Sequence, residues 1–407
     1  MVEYVLENGI KILYKNINSK LTSICIGIDA GAARDGNILG LAHATEHMVF
    51  KGTKTRSEHE INNIFDKYFA FHNAMTNYPY VIYYGTLLEE DIEIGVDILS
   101  DILINPSFPF EGFEEEMNVI MQELKEWDED IEQYCEDKLF FNAFEKSRLK
   151  YPIIGSIEGL REITLSNLKE FYEENYFPQN TCITVLSSLD FENVKSIINR
   201  FFGNWISNKK KNAKKNIEEP KNGIFIEDKD GIKVTRVEMI FSIKDLADSE
   251  LKALKLFDGL FCGGSNSILF DELRTKRGLV YDVSSVISHE SDIKLYKIMF
   301  TTSKENYKKA IKIVEECIKR LKKYDENLDD KKIEEISKKI KLKQLFKEEQ
   351  NIQLAKEIST YSVMFNDYKV YENMVDNLDN VLVEDVIRVA CDVLKNSTIQ
   401  VIKPRRD

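Results

Sequence analysis

Two pairs of landmarks in the 407-residue chain share one spacing: Thr86 and Thr302, and Asn180 and Asn396, are each 216 residues apart. Unrelated positions with a common offset point to a duplicated unit, because each half must then repeat the same order of elements. In the first half, residues 2–6 and 10–14 alternate around the turn pair Asn8-Gly9 like a hairpin, and 22–29 reads as a further strand. Residues 73–84 read as a strand, 91–103 as an amphipathic helix, 111–128 as an acidic helix and 181–186 as a closing strand. The second half repeats this with 237–243, 295–302, a helix through Leu321 and the strand 399–402. The chain therefore reads as α+β, with two homologous duplicated domains, each a mainly antiparallel sheet packed with helices. Their expected bounds are 1–207 and 224–407, joined by a Lys-, Asn- and Glu-rich linker at 208–223.

A chain this long exceeds the usual size of one hydrophobic core, so two domains also suit its length. Lys+Arg of 56 against Asp+Glu of 69 leaves a net charge of −13, which argues against binding nucleic acid. The linker lysines Lys209, Lys210, Lys211, Lys214 and Lys215 read as a solvated segment rather than a phosphate-binding patch. The six cysteines form no CxxC pair and are expected as buried thiols in a reducing compartment. No secretion signal precedes the first hairpin and no long apolar run follows, so a cytoplasmic protein without a membrane segment is expected.

Chemistry concentrates in His43-Ala44-Thr45-Glu46-His47, within a segment that reads as a short helix from Gly40 to a stop near Gly52. Four residues apart, His43 and His47 share a helix face and can grip one metal ion, with Glu46 beside them. Neutral imidazole suits zinc, which activates water near neutral pH, and a neighbouring carboxylate can serve as general base. Only five histidines occur in the chain, and two fall in this HxxEH pattern, a zinc-protease motif. The second half has no histidine between Leu254 and Cys262, where a counterpart would lie, so the metal belongs to the first half alone.

A catalytic zinc needs a third protein ligand. The acidic helix offers Glu116 and Glu123, seven residues apart at the edge of a stripe formed by Phe113, Met117, Ile120, Met121 and Leu124. Spacing leaves both open. Helical spacing of Ile333, Ile336, Ile340 and Leu345 further on predicts another core-facing stripe.

Taken together, the chain resembles the M16, pitrilysin-like zinc metallopeptidases, and within them the short-chain processing-peptidase branch, over nearly its whole length. The resemblance implies that Glu123, 76 residues after His47, is the third ligand. It makes Glu116 a supporting acid in catalysis and Glu46 the base. Asn73-Ala74-Met75-Thr76 resembles the Asn-Ala-x-Thr edge strand on which these enzymes bind peptide substrate by strand addition, although Ala70-Phe71-His72 stands where glycines often precede it. In the second half, Gly263-Gly264-Ser265-Asn266-Ser267 and the Arg274 to Tyr281 spacing resemble a block whose arginine and tyrosine stabilise the oxyanion, with Asn266 in place of a serine.

The function implied is a zinc-dependent endopeptidase that cleaves unfolded or short peptides in a closed chamber formed by a homodimer or a heterodimer with a homologous chain. In such a dimer Arg274 and Tyr281 would serve the partner's zinc. Two alternatives are a non-catalytic peptide-binding or scaffold subunit, and a protease dedicated to maturing one small secreted peptide. Subunits of the former kind usually lose the metal motif, which is intact here.

Overall fold

The structure is a computed structural model of the chain and describes residues 1–209, 217–321 and 328–405. Four of the linker lysines, Lys210, Lys211, Lys214 and Lys215, lie outside the described residues; Lys209 donates to the Glu173 carbonyl. The chain forms two compact units, and neither is a contiguous half. Of the described residues, the first unit takes 1–125, 151–209 and 346–371, the second 126–150, 217–321, 328–345 and 372–405.

The first unit is built on a sheet of β1 (Val2–Val5), β2 (Lys11–Asn16), β3 (Leu21–Ile28), β4 (Phe69–Thr76), β5 (Val81–Leu88) and β6 (Thr181–Ser187), in the order β1-β2-β6-β3-β5-β4. Neighbours are antiparallel except β2 and β6. The first hairpin turns as Asn8-Gly9 predicts. Gly9 has φ +93°, and a Cβ there would lie 2.7 Å from Gln179 Cγ, so only glycine fits. The single strand expected over 73–84 is instead the hairpin β4–β5. Pro79 has no N–H to give a ladder, and Asn77 closes the turn by donating its N–H to the Tyr80 carbonyl at 2.7 Å.

Helices α1 (Leu41–Met48), α2 (Glu58–Tyr68), α3 (Ile92–Ile104) and α4 (Phe110–Glu129) follow in this half of the sequence, then α5 (Ile131–Ala143), α6 (Ile157–Glu162), α7 (Leu165–Asn175) and α8 (Phe191–Phe202). The last residues of α4 and all of α5 count with the second unit. α5 packs on that unit's sheet, where Glu132 and Glu136 pair with Arg236 and Lys297, and Asn142 with Gln400.

The second sheet comprises β7 (Gly223–Lys229), β8 (Thr235–Ser242), β9 (Val280–His289), β10 (Lys294–Thr302) and β11 (Thr398–Pro404), in the order β7-β11-β8-β10-β9. Only β7 and β11 run parallel. Apart from β1, this is the topology of the first sheet, as duplication requires. Its helices are α9 (Asp248–Phe261), α10 (Ile268–Phe270), α11 (Tyr307–Lys319), α12 (Asp330–Glu348) and α15 (Val383–Val393), while α14 (Lys369–Asn373) starts in the first unit and ends in the second. α13 (Asn351–Phe365), late in the sequence, belongs to the first unit: Leu354, Ala355, Ile358 and Val363 pack on Leu13, Cys25, Ile82 and Tyr84. Gly27 in β3 allows that approach, since a Cβ there would come within 2.7 Å of Ser359 Oγ.

The stripe expected on α12 is buried only at Ile333 and Ile336, with Ile340 packed beside them. Ile336 seats on Gly259, where a Cβ would lie 2.5 Å from its Cγ2. Beyond that turn the helix leaves the core and Leu345 is exposed, contrary to the spacing. Five of the six free cysteines are buried and Cys391 is half-buried. No helix among the described residues is long and apolar enough to cross a membrane.

Candidate metal centre

α1 is placed by its N-terminus. Gly40 has φ +91°, and a Cβ there would press to 2.6 Å from the Ile154 carbonyl oxygen. The Asp35 carboxylate accepts from the Gly40 and Ala42 N–H groups, both at 2.8 Å, which satisfies otherwise unpaired donors of the first turn. The helix ends at Met48, earlier than the stop expected at Gly52. In it His43, Thr45 and Glu46 are buried, and His47 is half-buried.

α4 meets α1 through Glu116 and Glu123. His43 Nε2 lies 3.8 Å from Glu123 Oε1, and His47 Nε2 lies 3.7 Å from Glu123 Oε2. One donor atom from each of the three residues falls within 4.8 Å of the other two. A tetrahedral zinc with bonds of about 2 Å separates its ligand atoms by about 3.3 Å, close to these distances. The polar atoms bear out the fit. Burial, with His47 nearby, pulls the His43 pKa down to about 3, so its ring is neutral, and its buried Nδ1 has no hydrogen-bond partner. The lone pair of a neutral Nε2, aimed at a carboxylate beyond hydrogen-bond reach, suits a cation between them.

His47 is set differently. Its Nδ1 meets Glu116 Oε1 at 2.7 Å, so Nδ1–H donates to the carboxylate and Nε2 is left for a metal. Burial works against the charged imidazole, but the Glu116 hydrogen bond and the charges of Glu46, Glu116 and Glu123 outweigh it and raise its pKa. Glu116 is buried, which would favour the acid form. Hydrogen bonds from His47 and Lys51 overcome this and hold its carboxyl down at about 2.

Glu46 is buried beside these donors, and burial pushes its carboxyl up against the opposing pull of His47 and Thr76. The Thr76 hydroxyl donates to Glu46 Oε2 at 2.6 Å. Thr76 closes β4, an edge strand of the first sheet paired only to β5. Along that strand Asn73 is exposed, Ala74 and Met75 are half-buried, and Asn73 Oδ1 accepts from the Ala74 N–H at 2.9 Å.

Arg274 and Tyr281 belong to the second unit. The Arg274 guanidinium lies 5.0 Å from the Phe270 ring centroid and 5.0 Å from that of Tyr281, and Tyr281, on β9, is 80% exposed. The arginine and tyrosine named from the sequence are thus neighbours. Sequence reasoning missed Lys51, whose Nζ lies 2.9 Å from Glu116 Oε2, and the bond from Thr76 to Glu46. Neither carries a signal in spacing, because each pairing joins elements brought together only by folding.

The chain is similar to known proteins along its length. Residues 11–156 match the family profile described as Insulinase (Peptidase family M16), and residues 162–340 match that of the Peptidase M16 inactive domain. An uncharacterized zinc protease of Bacillus subtilis is 24% identical over 387 residues, covering 94% of this chain and 93% of its own. One of Rickettsia bellii is 26% identical over 405 residues, covering 98% and 96%. The beta subunit of the mitochondrial-processing peptidase of Saccharomyces cerevisiae is 32% identical over 200 residues, which is 49% of this chain and 43% of the subunit. A solved protease of Helicobacter pylori superposes with a TM-score of 0.89 at 19% identity over 99% of both chains. A Pseudomonas fluorescens structure described as a peptidase M16 inactive domain reaches 0.88 at 18% identity, over 100% of this chain and 98% of that one. Two M16 profiles follow one another along the sequence, relatives named as zinc proteases span nearly its full length, and the fold is shared: the chain belongs to the M16 peptidase family.

Proposed function

We propose that the chain is a zinc-dependent endopeptidase acting on unfolded or short peptides, with His43, His47 and Glu123 holding the metal. The observation that carries this is the convergence of two imidazole nitrogens and a carboxylate within 4.8 Å, beside a buried glutamate. Zinc bound there would supply Lewis acidity for the scissile carbonyl and make water easier to deprotonate near neutral pH.

The remaining work falls to the chain's own groups. Glu46 takes the proton of the attacking water and later gives it to the leaving amine, a role suited to a carboxyl raised by burial. Thr76 occupies Oε2 of Glu46 and leaves Oε1 for that water. A substrate added to the open edge of β4 along Asn73, Ala74 and Met75 would run as an extended strand into the site, which explains a preference for unfolded peptide. Glu116 fixes the His47 ring.

Arg274 and Tyr281 are proposed to stabilise the oxyanion within a closed chamber. There they act on the zinc of a second subunit, identical or homologous. Mixing inactive His47→Ala with inactive Tyr281→Phe chains then restores cleavage, and no recovery after subunit exchange means the pair does not act between chains.

Glu46→Gln tests the core of the reading. It should bind one zinc per chain as wild type does and lower kcat on an unstructured peptide by about 10²–10⁴-fold. Cleavage by Glu46→Gln at the wild-type rate would remove Glu46 as base, and cleavage by wild type in excess chelator would remove the metal from the reaction.

A further inference from the structure

We propose that Lys51 is a positioning residue for the metal centre: it holds Glu116 in the orientation that receives the Nδ1–H of His47, and so aims His47 Nε2 at the metal. The inference rests on the zinc reading above and deepens it, because it explains why one of two similar glutamates on α4 is a ligand and the other a buttress.

The geometry is a chain of charged contacts. Lys51 Nζ lies 2.8 Å from Glu58 Oε1 and 2.9 Å from Glu116 Oε2, while Glu116 Oε1 meets His47 Nδ1 at 2.7 Å. The side chains of Lys51 and Glu116 are only 12% and 11% exposed, so water does little to screen the link. Each oxygen of Glu116 is thereby engaged, one by imidazole and one by ammonium.

A carboxylate engaged on one oxygen alone could rotate, and Glu116 shares its helix edge with Glu123, one heptad on. With Lys51 on Oε2 it can neither turn nor offer that oxygen to the ion. Lys51 follows α1 by three residues, and its stem lies on α4 at Gly112, where an added Cβ would sit 3.3 Å from the lysine Cβ. Gly112 precedes Glu116 by one turn, so the missing side chain makes the shelf along which the lysine reaches the carboxylate. Glu58, at the start of α2, braces the ammonium from the other side.

Groups behind the ligands of a metal typically change its affinity by 10–100-fold when removed. The test therefore reads metal affinity, with zinc alone as probe against a competing chromophoric chelator, and the His47 ring in the metal-free full chain. With five histidines in the sequence, selective ¹⁵N-histidine labelling gives a tractable spectrum, and a Glu116→Gln sample identifies the Nδ1–H resonance that depends on the Glu116 bond.

Lys51→Met should weaken zinc binding by about 10–100-fold and remove that downfield, slowly exchanging resonance, while Lys51→Arg restores both to within about threefold. Unchanged zinc affinity and an unchanged resonance in Lys51→Met would overturn the proposal, and so would failure of Lys51→Arg to restore either one. If wild type itself takes up no zinc, the metal reading fails, whereas the resonance of the metal-free chain still decides whether Lys51 orders Glu116 and His47.

Discussion

The two units share one topology and use the helix that follows their central strand, β3 or β8, in opposite ways. In the first unit α1 turns His43, Thr45 and Glu46 inward. In the second, α9 buries Leu251, Ala253, Leu254, Leu256, Phe257 and Phe261, and the α12 side that meets it offers Ile333 and Ile336 where α4 offers Glu116 and Glu123. In the second unit the half-buried Asp258 and the buried Glu238 have side-chain partners. Asp258 accepts from the Ser285 and Tyr296 hydroxyls, and Glu238 is paired with Arg236 at 3.1 Å and with Lys297 at 3.6 Å. Around His43, His47 and Glu123 three atoms able to hold a metal converge instead, within 4.8 Å of one another. The duplicated fold needs only an apolar helix at this place. The first unit carries buried polar side chains there instead.

The largest effect that tests this contrast is His43→Leu, which gives α1 an apolar residue of the kind α9 carries. Zinc binding and peptide cleavage should both vanish. The metal-free chain should nevertheless gain about 1–3 kcal/mol against urea, because a buried nitrogen without a partner is removed. A metal-free variant less stable than metal-free wild type would show that His43 belongs to the core as much as to the site. The mirror change is Leu254→Ala in α9, where the side chain is fully buried. It should cost about 2–5 kcal/mol of unfolding free energy by leaving a cavity, yet zinc per folded chain should stay at wild-type level. A parallel loss of zinc from the folded protein would mean that the second unit does more than complete the fold.

What could be read from residues alone follows the same division. Periodicity and turn chemistry are local, so the Asn8-Gly9 hairpin, the histidine helix and the repeated order of strands were all legible. The HxxEH spacing brought two histidines onto one face. Which glutamate joins them was not decidable by spacing, since Glu116 and Glu123 stand at nearly the same angle on α4. The structure separates them by what they meet: His47 Nδ1 and Lys51 for one, two Nε2 atoms for the other. The β4–β5 turn was missed because apolar residues run on through Tyr80, and only Pro79 marked the break. The reassignment of α5 and α13 to the opposite units was also hidden, because a helix pattern says which face is apolar but not which sheet it will cover.

The smallest effect concerns the link between the edge strand and the base, whose counterpart on the second sheet's edge strand β9 is the Ser285 hydroxyl donating to Asp258 of α9. Thr76 stands at the end of β4 and donates to Glu46 Oε2, so the strand proposed to receive the peptide also fixes the carboxylate proposed to deprotonate water. Thr76→Val keeps the β-branched shape but loses the donor. A hydrogen bond to a charged group contributes about 1.5–3 kcal/mol, so kcat should fall by roughly ten- to a hundredfold. KM and zinc content should hold, since neither the open edge nor the ligand set is altered, and Thr76→Ser should recover most of the rate. If valine lowers KM and kcat together, or leaves both at wild-type values, Thr76 serves the strand alone and Glu46 is held by burial.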